Sequence, residues 1–409
     1  MEASGARMES PGRRGDGSDA PALAAWLERN AVDSLPAGEL ERKLSGGRPL
    51  RVKLGIDPTA PDIHLGHTVV LSKLREFQDL GNVVVLIIGD FTARIGDPSG
   101  RSDTRPVLSP EQIERNAQTY QDQAFAILSR ERTEIRRNGE WLDMSMEELF
   151  RLARTMTVSQ LIERDDFATR LRAGTPVALI ELLYPLLQGY DSVATEADVE
   201  LGGTDQKFNL LRAREIQRAY GVPEQAILTM PILPGTDGKR RMAKSLQNYI
   251  GVSEPPGEIY GKTLSIPDTA LDIWYPLLLG SAPPAGMSPR DAKRALARAL
   301  VTRFHGEEAA LAAEREFDRV HRAGELPEQV ASVQWPARDG AVHLPALLAS
   351  VFGVTTSEAR RGISQGGVRL DGQPVSDGVL DLPIEQVDGK VIQFGKRRFA
   401  RVEITGGEP

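Results

Sequence analysis

Cysteine is absent from the 409-residue sequence. Its absence excludes disulfides, thiolate zinc sites and cysteine nucleophiles, and it fits a cytoplasmic protein. Histidine is scarce, with five residues, and His305, His321 and His343 lie far along the chain from His64 and His67. No protein-bound metal is therefore expected. No apolar run approaches the roughly 20 residues that a membrane span needs, so no membrane association is expected either. Residues 1–19 are rich in Gly, Ser, Asp and Arg and lack an apolar core segment. They read as a disordered tail rather than a signal peptide. Excess positive charge is missing too: the net charge is −7. Any contact with nucleic acid must come from local basic patches.

What is present centres on Lys53-Leu54-Gly55-Ile56-Asp57-Pro58-Thr59-Ala60-Pro61-Asp62-Ile63-His64-Leu65-Gly66-His67. Leu50, Val52, Leu54 and Ile56 alternate as in a strand. Val70, Leu71, Leu74 and Phe77 follow at helical spacing, with a stop at Gly81. The apolar run Val83–Ile88 reads as a fully buried strand, which completes a right-handed βαβ unit. His64 and His67 would share one face of the helix's first turn. Unpaired N–H groups and the positive end of the helix dipole suit a phosphate there. Two histidines at this spacing also suit a metal or an ordinary helix start.

Downstream loops add polar groups. Gly89 to Arg101 carries Asp90, Arg94, Asp97 and Arg101 just past a strand's carboxyl end, where α/β sheets bind ligands. Ser109 and Pro110 start a long helix; Glu134–Leu142 reads as a strand; Met146–Ala153 and Val158–Ile162 read as helices. This block, about 105–180, is expected to be an insertion between the halves of the sheet. Tyr184, Gln188 and Asp191 fall on one helical face among leucines, as a solvated edge or a pocket lining would. Gly202-Gly203-Thr204-Asp205 turns from a strand into a helix; the glycines allow close approach, and Asp205 suits two ribose hydroxyls. Ile227–Met230 is a further strand. Pro234 to Asn248 holds Lys239, Arg240, Arg241 and Lys244, with Gly235 and Gly238 to make it mobile. It is a solvated basic loop or a cationic lid over a triphosphate.

Ser288 to Arg322 is amphipathic and helical, and 326–342, with Pro327, Pro336 and Gly340, reads as a linker. Leu344–Phe352 is an apolar helix, and Thr356-Ser357 starts another that carries Arg360 and Arg361. A short strand around Arg369 and a hairpin with Lys396, Arg397 and Arg398 at its turn complete the chain. Such arginines suit phosphate contacts on structured RNA.

The stretch around His64-Leu65-Gly66-His67 resembles the HIGH signature of class I aminoacyl-tRNA synthetases, and Gly-x-Asp-Pro-Thr-Ala ahead of it resembles the bacterial tyrosyl-tRNA synthetases. Arg241-Met242-Ala243-Lys244-Ser245 resembles the family's Lys-Met-Ser-Lys-Ser, departing at Arg241 and Ala243. Ser-x-Ala-Arg-Arg-x-Ile-x-Gln-Gly-Gly-Val-x-Leu-x-Gly resembles the S4-type RNA-binding module. The resemblance implies an α/β fold. A Rossmann-like parallel-sheet catalytic domain (20–250) would be followed by a small helical domain (251–325) and a C-terminal α+β S4-type RNA-binding domain (343–409).

It also implies roles. Asp97, Tyr184 and Gln188 match residues that hold the amino group of tyrosine, and Asp191 matches the acceptor of the substrate phenol. Lys53 stands where many relatives have a tyrosine, as a possible second phenol contact. Gln206 matches a position near the substrate carboxylate. Gly55, Asp57, Gly66, Gly202, Asp205 and Met242 match ATP-binding positions. Thr59, His64, His67, Arg241 and Lys244 match the groups on the β- and γ-phosphates. Arg360, Arg361, Arg369, Lys396, Arg397 and Arg398 would contact RNA. The implied activity is tyrosine–tRNA ligation, with ATP as substrate together with Mg²⁺, tRNA(Tyr) as partner, and a homodimer joined through the insertion. Tyrosine would attack the α-phosphorus, and the tRNA's terminal adenosine would then take the tyrosyl group. No protein nucleophile is required, only positioning and charge stabilisation. A tryptophanyl enzyme, an inactive synthetase-like RNA-binding regulator and a nucleotidylyltransferase share parts of this pattern.

Overall fold

The computed structural model describes residues 19–58, 62–97, 109–321, 330–336, 340–395 and 398–405. Thr59, Arg101, Lys396, Arg397 and the expected tail apart from Asp19 lie outside them. The chain divides into two compact units. One runs through Pro255 and takes up Lys262–Ala299; the other holds Pro256–Gly261 and everything from Leu300. The helical segment expected over 251–325 is thus divided between them.

The first unit begins with α1 (Ala20–Leu27), β1 (Asp33–Leu35) and α2 (Glu39–Leu44). The βαβ unit is β2 (Arg51–Ile56), α3 (Leu65–Asp79) and β3 (Val83–Ile88). Helix α3 buries Leu65, Val69, Leu71, Leu74 and Phe77, the spacing that predicted it. Helix α4 (Pro110–Ala124) starts as its sequence dictates: Ser109 and Gln112 form a reciprocal capping box, with proline first. Strand β4 (Thr133–Arg137) ends five residues before the expected Leu142, because Asn138 turns the chain into the short helix α5 (Gly139–Leu142). Trp141 therefore projects from a helix. Four helices follow: α6 (Met146–Ala153), α7 (Val158–Ile162), α8 (Asp165–Arg172) and α9 (Leu179–Ala194). Then come β5 (Val199–Gly203), α10 (Lys207–Ala219), β6 (Ala226–Met230) and α12 (Leu271–Leu279), while α11 (Pro256–Leu264) and α13 (Pro289–His305) are each divided between the two units.

Six strands form one sheet in the order β1-β6-β5-β2-β3-β4, parallel except for β1 against β6. Connections run one way from β2 and the other way from β5, so the strand order reverses between them. Open α/β sheets bind ligands at such a point. Strands β2 and β5 pair only at Val52↔Val199 and Lys53↔Glu200. Leu54–Ile56 then continue without β5, and a cleft opens there.

The second unit contains α14 (Glu307–His321), β7 (Ser332–Pro336), β8 (Ala341–His343), α15 (Leu344–Phe352), α16 (Thr356–Ser364) and β9 (Val368–Leu370). It ends with β10 (Gln373–Pro374), β11 (Asp381–Pro383), α17 (Ile384–Val387), β12 (Val391–Phe394) and β13 (Arg398–Thr405). A five-stranded sheet is ordered β10-β9-β12-β13-β7, and β8 pairs with β11. Leu344, Leu347, Leu348, Ala359, Ile363, Ile392 and Val402 form its core. The expected linker is corrected here. Ser332–Pro336 is a strand parallel to β13, with Val333 and Trp335 against the core. Proline is tolerated at Pro336 because the strand ends there. Among the described residues no helix is long and apolar enough to cross a membrane.

Candidate active site

The two histidines organise the entrance to α3. His64 is the residue before the helix, and His67 sits inside its first turn. The His64 ring Nδ1 accepts from the Gly66 N–H at 3.1 Å, and the His67 Nδ1 accepts from the His64 N–H at 3.1 Å. This is a capping box built from histidines, with ring centroids 3.9 Å apart. Burial holds both rings neutral, His64 lowered to about 2 and His67 to about 4, with the Lys244 cation adding to both. With each Nδ1 lone pair occupied, the hydrogen-bond pattern assigns each proton to Nε2. The pair thus offers uncharged N–H donors. Glycine is required between them: a Cβ on Gly66 would stand 2.9 Å from His64 Cε1.

Asp57, at the end of β2, is engaged by protein on both oxygens. Tyr184 Oη donates to one at 2.8 Å and Thr92 Oγ1 to the other at 2.7 Å. It lines the cleft, but as a bracket between α9 and the loop after β3. Burial first, and then the Asp57 charge, raise the Tyr184 phenol well above its ordinary value.

Gln188, Gln206 and Asp97 are linked through one residue that the sequence did not flag, Asn209, while Tyr184 bonds to Asp57 instead. Asn209 Nδ2 donates to Gln188 Oε1 at 2.9 Å and to Gln206 Oε1 at 3.3 Å. Gln206 Nε2 in turn donates to Asp97 Oδ2 at 2.9 Å. A continuous polar wall results, from the loop after β3 to α9.

The cleft's inner end holds Asp191, 3 % exposed. One oxygen accepts from Trp141 Nε1 at 2.8 Å, the other from Asn138 Nδ2 at 3.4 Å. Burial raises its carboxyl to about 7, against the lowering pull of Lys53 and of the Trp141 and Asn138 hydrogen bonds. Lys53 does not reach into the cleft. It is wholly buried, and its Nζ lies 2.8 Å from a Glu200 oxygen, 2.8 Å from Ser192 Oγ and 3.0 Å from the Gln188 carbonyl. The expectation that Lys53 touches a ligand is corrected by this pairing. Lone lysines on central parallel strands are buried on both faces and need a carboxylate nearby. Glu200, its register partner, supplies it.

The far side is the loop after β6. Pro234 bridges to Arg241, and the Met242 N–H donates to the Leu233 carbonyl at 3.0 Å. Buried Asn248 accepts from the Ala243 N–H at 2.9 Å and donates to Asp237 at 3.0 Å. A Cβ on Gly235 would stand 2.2 Å from Asn248. Gly235 is therefore there for close packing rather than mobility. Lys244 pairs with Asp62, and Arg241 lies 3.9 Å from Asp205. Gly202 lets α10 approach, since a Cβ would stand 2.9 Å from Gln206 Cβ. Together these walls line a cleft of about 580 Å³, a size that suits a small-molecule ligand.

The class I tRNA synthetase (W and Y) family model matches residues 45–322, and the S4 domain model matches residues 344–378. The chain is 48% identical over 393 residues to a tyrosine–tRNA ligase of Moorella thermoacetica, covering 92% of this chain and 94% of that one. It is 49% identical over 395 residues to a tyrosine–tRNA ligase of Thermotoga maritima, covering 93% and 97%. The chain belongs to the tyrosyl-tRNA synthetases. The fold agrees with a truncated mitochondrial tyrosyl-tRNA synthetase of Aspergillus nidulans, with TM-score 0.61 at 19% identity over 74% of this chain and 98% of that one.

In this synthetase Gly55 lines the cleft, and a Cβ there would meet nothing within 4 Å. The space in front of it is open to the cleft. Gly55→Val should fold with an unchanged melting temperature yet raise the KM for ATP at least about tenfold, the cost of roughly 1.4 kcal/mol of lost contact. Calorimetry and steady-state pyrophosphate exchange check both halves. In the second unit Arg360 and Arg361 lie exposed on α16, opposite buried Ala359 and Ile363. Arg369 and Arg398 are exposed on the sheet.

Proposed function

We propose the following division of labour for tyrosine–tRNA ligation, the reaction of the family to which the chain belongs. The enzyme activates L-tyrosine with ATP to tyrosyl-adenylate and then transfers the tyrosyl group to the 3′-terminal adenosine of tRNA(Tyr). The observation that carries the assignment is the buried carboxylate of Asp191 at the closed end of the cleft. Its two oxygens accept from the N–H groups of Trp141 and Asn138 and keep lone pairs to spare, and a phenol O–H suits such an acceptor.

The α-amino group of tyrosine is held along the wall of Asp97, Tyr184 and Gln188, which carries the Asp97 charge and the Gln188 amide oxygen. Gln206 stands at the same wall, beside the reacting carboxylate. Asp205 takes the ribose hydroxyls, while Gly55, Gly66, Gly202 and Met242 let the nucleotide lie against backbone. Asp57 acts on this site through Tyr184 and Thr92. The triphosphate runs toward His64 and His67, whose neutral N–H groups donate to the phosphates. Arg241 and Lys244 supply charge, and Thr59 joins them by resemblance. As tyrosine attacks the α-phosphorus in line, the P–O bond to pyrophosphate breaks, and charge builds on oxygens that these donors already face. Magnesium enters on the triphosphate, as it does where phosphates supply most of its ligands. In a second step the tRNA hydroxyl attacks the adenylate carbonyl and AMP leaves. Arg360, Arg361, Arg369, Lys396, Arg397 and Arg398 hold the RNA backbone. We place the enzyme in the cytoplasm.

The active form is a homodimer joined through the insertion at about 105–180. Exposed Met146, Phe150, Val158 and Leu179, all within this block, support this; exposed large apolar side chains are what an interface would cover. Phe150→Glu combined with Leu179→Glu should halve the mass in light scattering; an unchanged mass would place the interface elsewhere. The function itself is tested by charging a tRNA(Tyr) transcript with labelled tyrosine. Acid-precipitable label that depends on ATP is the expected result, and none with active ATP–pyrophosphate exchange would remove the second step.

A further inference from the structure

Lys53 and Glu200 form a pair that stability does not explain. They are 0% and 1% exposed, with Nζ and Oε1 2.8 Å apart. Removing two charges from water costs about as much as their attraction returns, and an apolar pair of similar volume is often as stable or more so. The pair sits at the last register position before β2 and β5 separate, directly behind the cleft's inner end. The Lys53 ammonium holds the backbone carbonyl of Gln188 and the hydroxyl of Ser192, the two residues that bracket Asp191 on α9. Glu200 is fixed from the other side by Ser192 Oγ at 3.2 Å and by Gln225.

We propose that Lys53 is a positioning residue for tyrosine selection: held by Glu200, it fixes the α9 turn that carries Asp191 and supplies the positive charge that keeps this carboxylate an acceptor for the substrate phenol. The proposal rests on the reading of Asp191 as that acceptor. It gives the lysine a role without contact with substrate.

Among the described residues, charged and polar groups from four elements face Asp191. Lys53 comes from β2 and Glu200 from β5; Trp141 and Asn138 donate from α5 and the residue before it. Tyr184 lies on the same helix, with Asp57 and Asp97 beyond it. Among the described residues Lys53 is the cation with the largest pull on Asp191, ranking above the opposing push of Glu200. Tyrosine's own phenol titrates near 10, above this cluster, and its α-amino group is shared by phenylalanine, so that titration appears in both profiles.

The test is the pH profile of kcat/KM for tyrosine in pyrophosphate exchange, with phenylalanine as the control lacking the phenol. The ionised carboxylate accepts, so kcat/KM for tyrosine rises with pH through about 7. Lys53→Met should move this rise up by about one pH unit, lowering kcat/KM at pH 7 about fivefold. Glu200→Gln should move it down, because it removes a negative charge and frees the ammonium. The double variant Lys53→Met/Glu200→Gln buries no lone charge and should keep the upward displacement at reduced size. Phenylalanine profiles should not move. Opposite displacements are not the signature of a loosened fold, which lowers activity at every pH. If all three variants, or the double variant where the singles do not fold, titrate at the wild-type position, the role of Lys53 is overturned. If Asp191→Asn leaves tyrosine and phenylalanine as well separated as before, the reading of Asp191 has failed instead.

Discussion

Lys244→Ala lowers the rate of tyrosine-dependent pyrophosphate exchange by about 10²–10³-fold while tyrosine affinity stays within about twofold of wild type. The expected size is that of one preorganised donor removed from developing charge, about 2.7–4 kcal/mol. The geometry says why the loss falls on the rate. Lys244 belongs to the loop after β6, whereas Asp191 lies on α9, and the lysine's charge pairs with Asp62. The proposed role gives Lys244 no contact with tyrosine. The neighbouring histidines cannot replace it, because both are neutral at any working pH, His64 lowered to about 2 and His67 to about 4. They donate hydrogen bonds but carry no charge. Single-turnover adenylate formation, followed at saturating tyrosine, checks the prediction. A Lys244→Ala enzyme with a normal rate would remove the lysine from the chemistry.

Asp191→Asn lowers kcat/KM for tyrosine by about 10- to 150-fold and leaves phenylalanine nearly unchanged. A hydrogen bond to a charged group contributes about 1.5–3 kcal/mol, and the amide puts a second donor among the N–H groups of Trp141 and Asn138. Discrimination against phenylalanine then falls by the same factor. Strong rejection is expected of the intact site because a substrate without the hydroxyl leaves a buried acceptor unpaired; tyrosyl-tRNA synthetases are themselves the standard illustration, at about 10⁵-fold without editing. That magnitude belongs to the enzyme class. Competition of the two amino acids in pyrophosphate exchange gives the ratio directly.

The elements that position this cleft were legible where the pattern is local. Alternation gave β2, the apolar run gave β3, and the periodic stretches gave α3, α15 and the polar stripe of α9. Their boundaries differ by a residue or two at most points. What the sequence hid is what depends on distant partners. Asn138, Thr92 and Asn209 are single polar residues without period, and their meaning comes from contacts such as Asn138 Nδ2 to Thr92 Oγ1 at 2.9 Å. The strand reading of Glu134–Leu142 passes over Asn138-Gly139, a turn signal that the sequence does carry and that ends β4 at Arg137. Strand β7 was hidden by Pro327 and Pro336, which look like linker residues, although Val333 and Trp335 alternate as a strand should. Lys53 could have been found. A lone lysine on a central parallel strand demands a buried carboxylate, and Val199-Glu200-Leu201 offers one on an equally apolar strand.

The most direct measurement is ATP–pyrophosphate exchange screened over the twenty amino acids with the full-length enzyme. Exchange with tyrosine, at most trace exchange with phenylalanine, and loss of tyrosine exchange in Lys244→Ala are the predicted results. Exchange driven by tryptophan, or by no amino acid at all, would contradict the assignment of the Asp191 end of the cleft to a phenol and of the His64–His67 end to the leaving pyrophosphate.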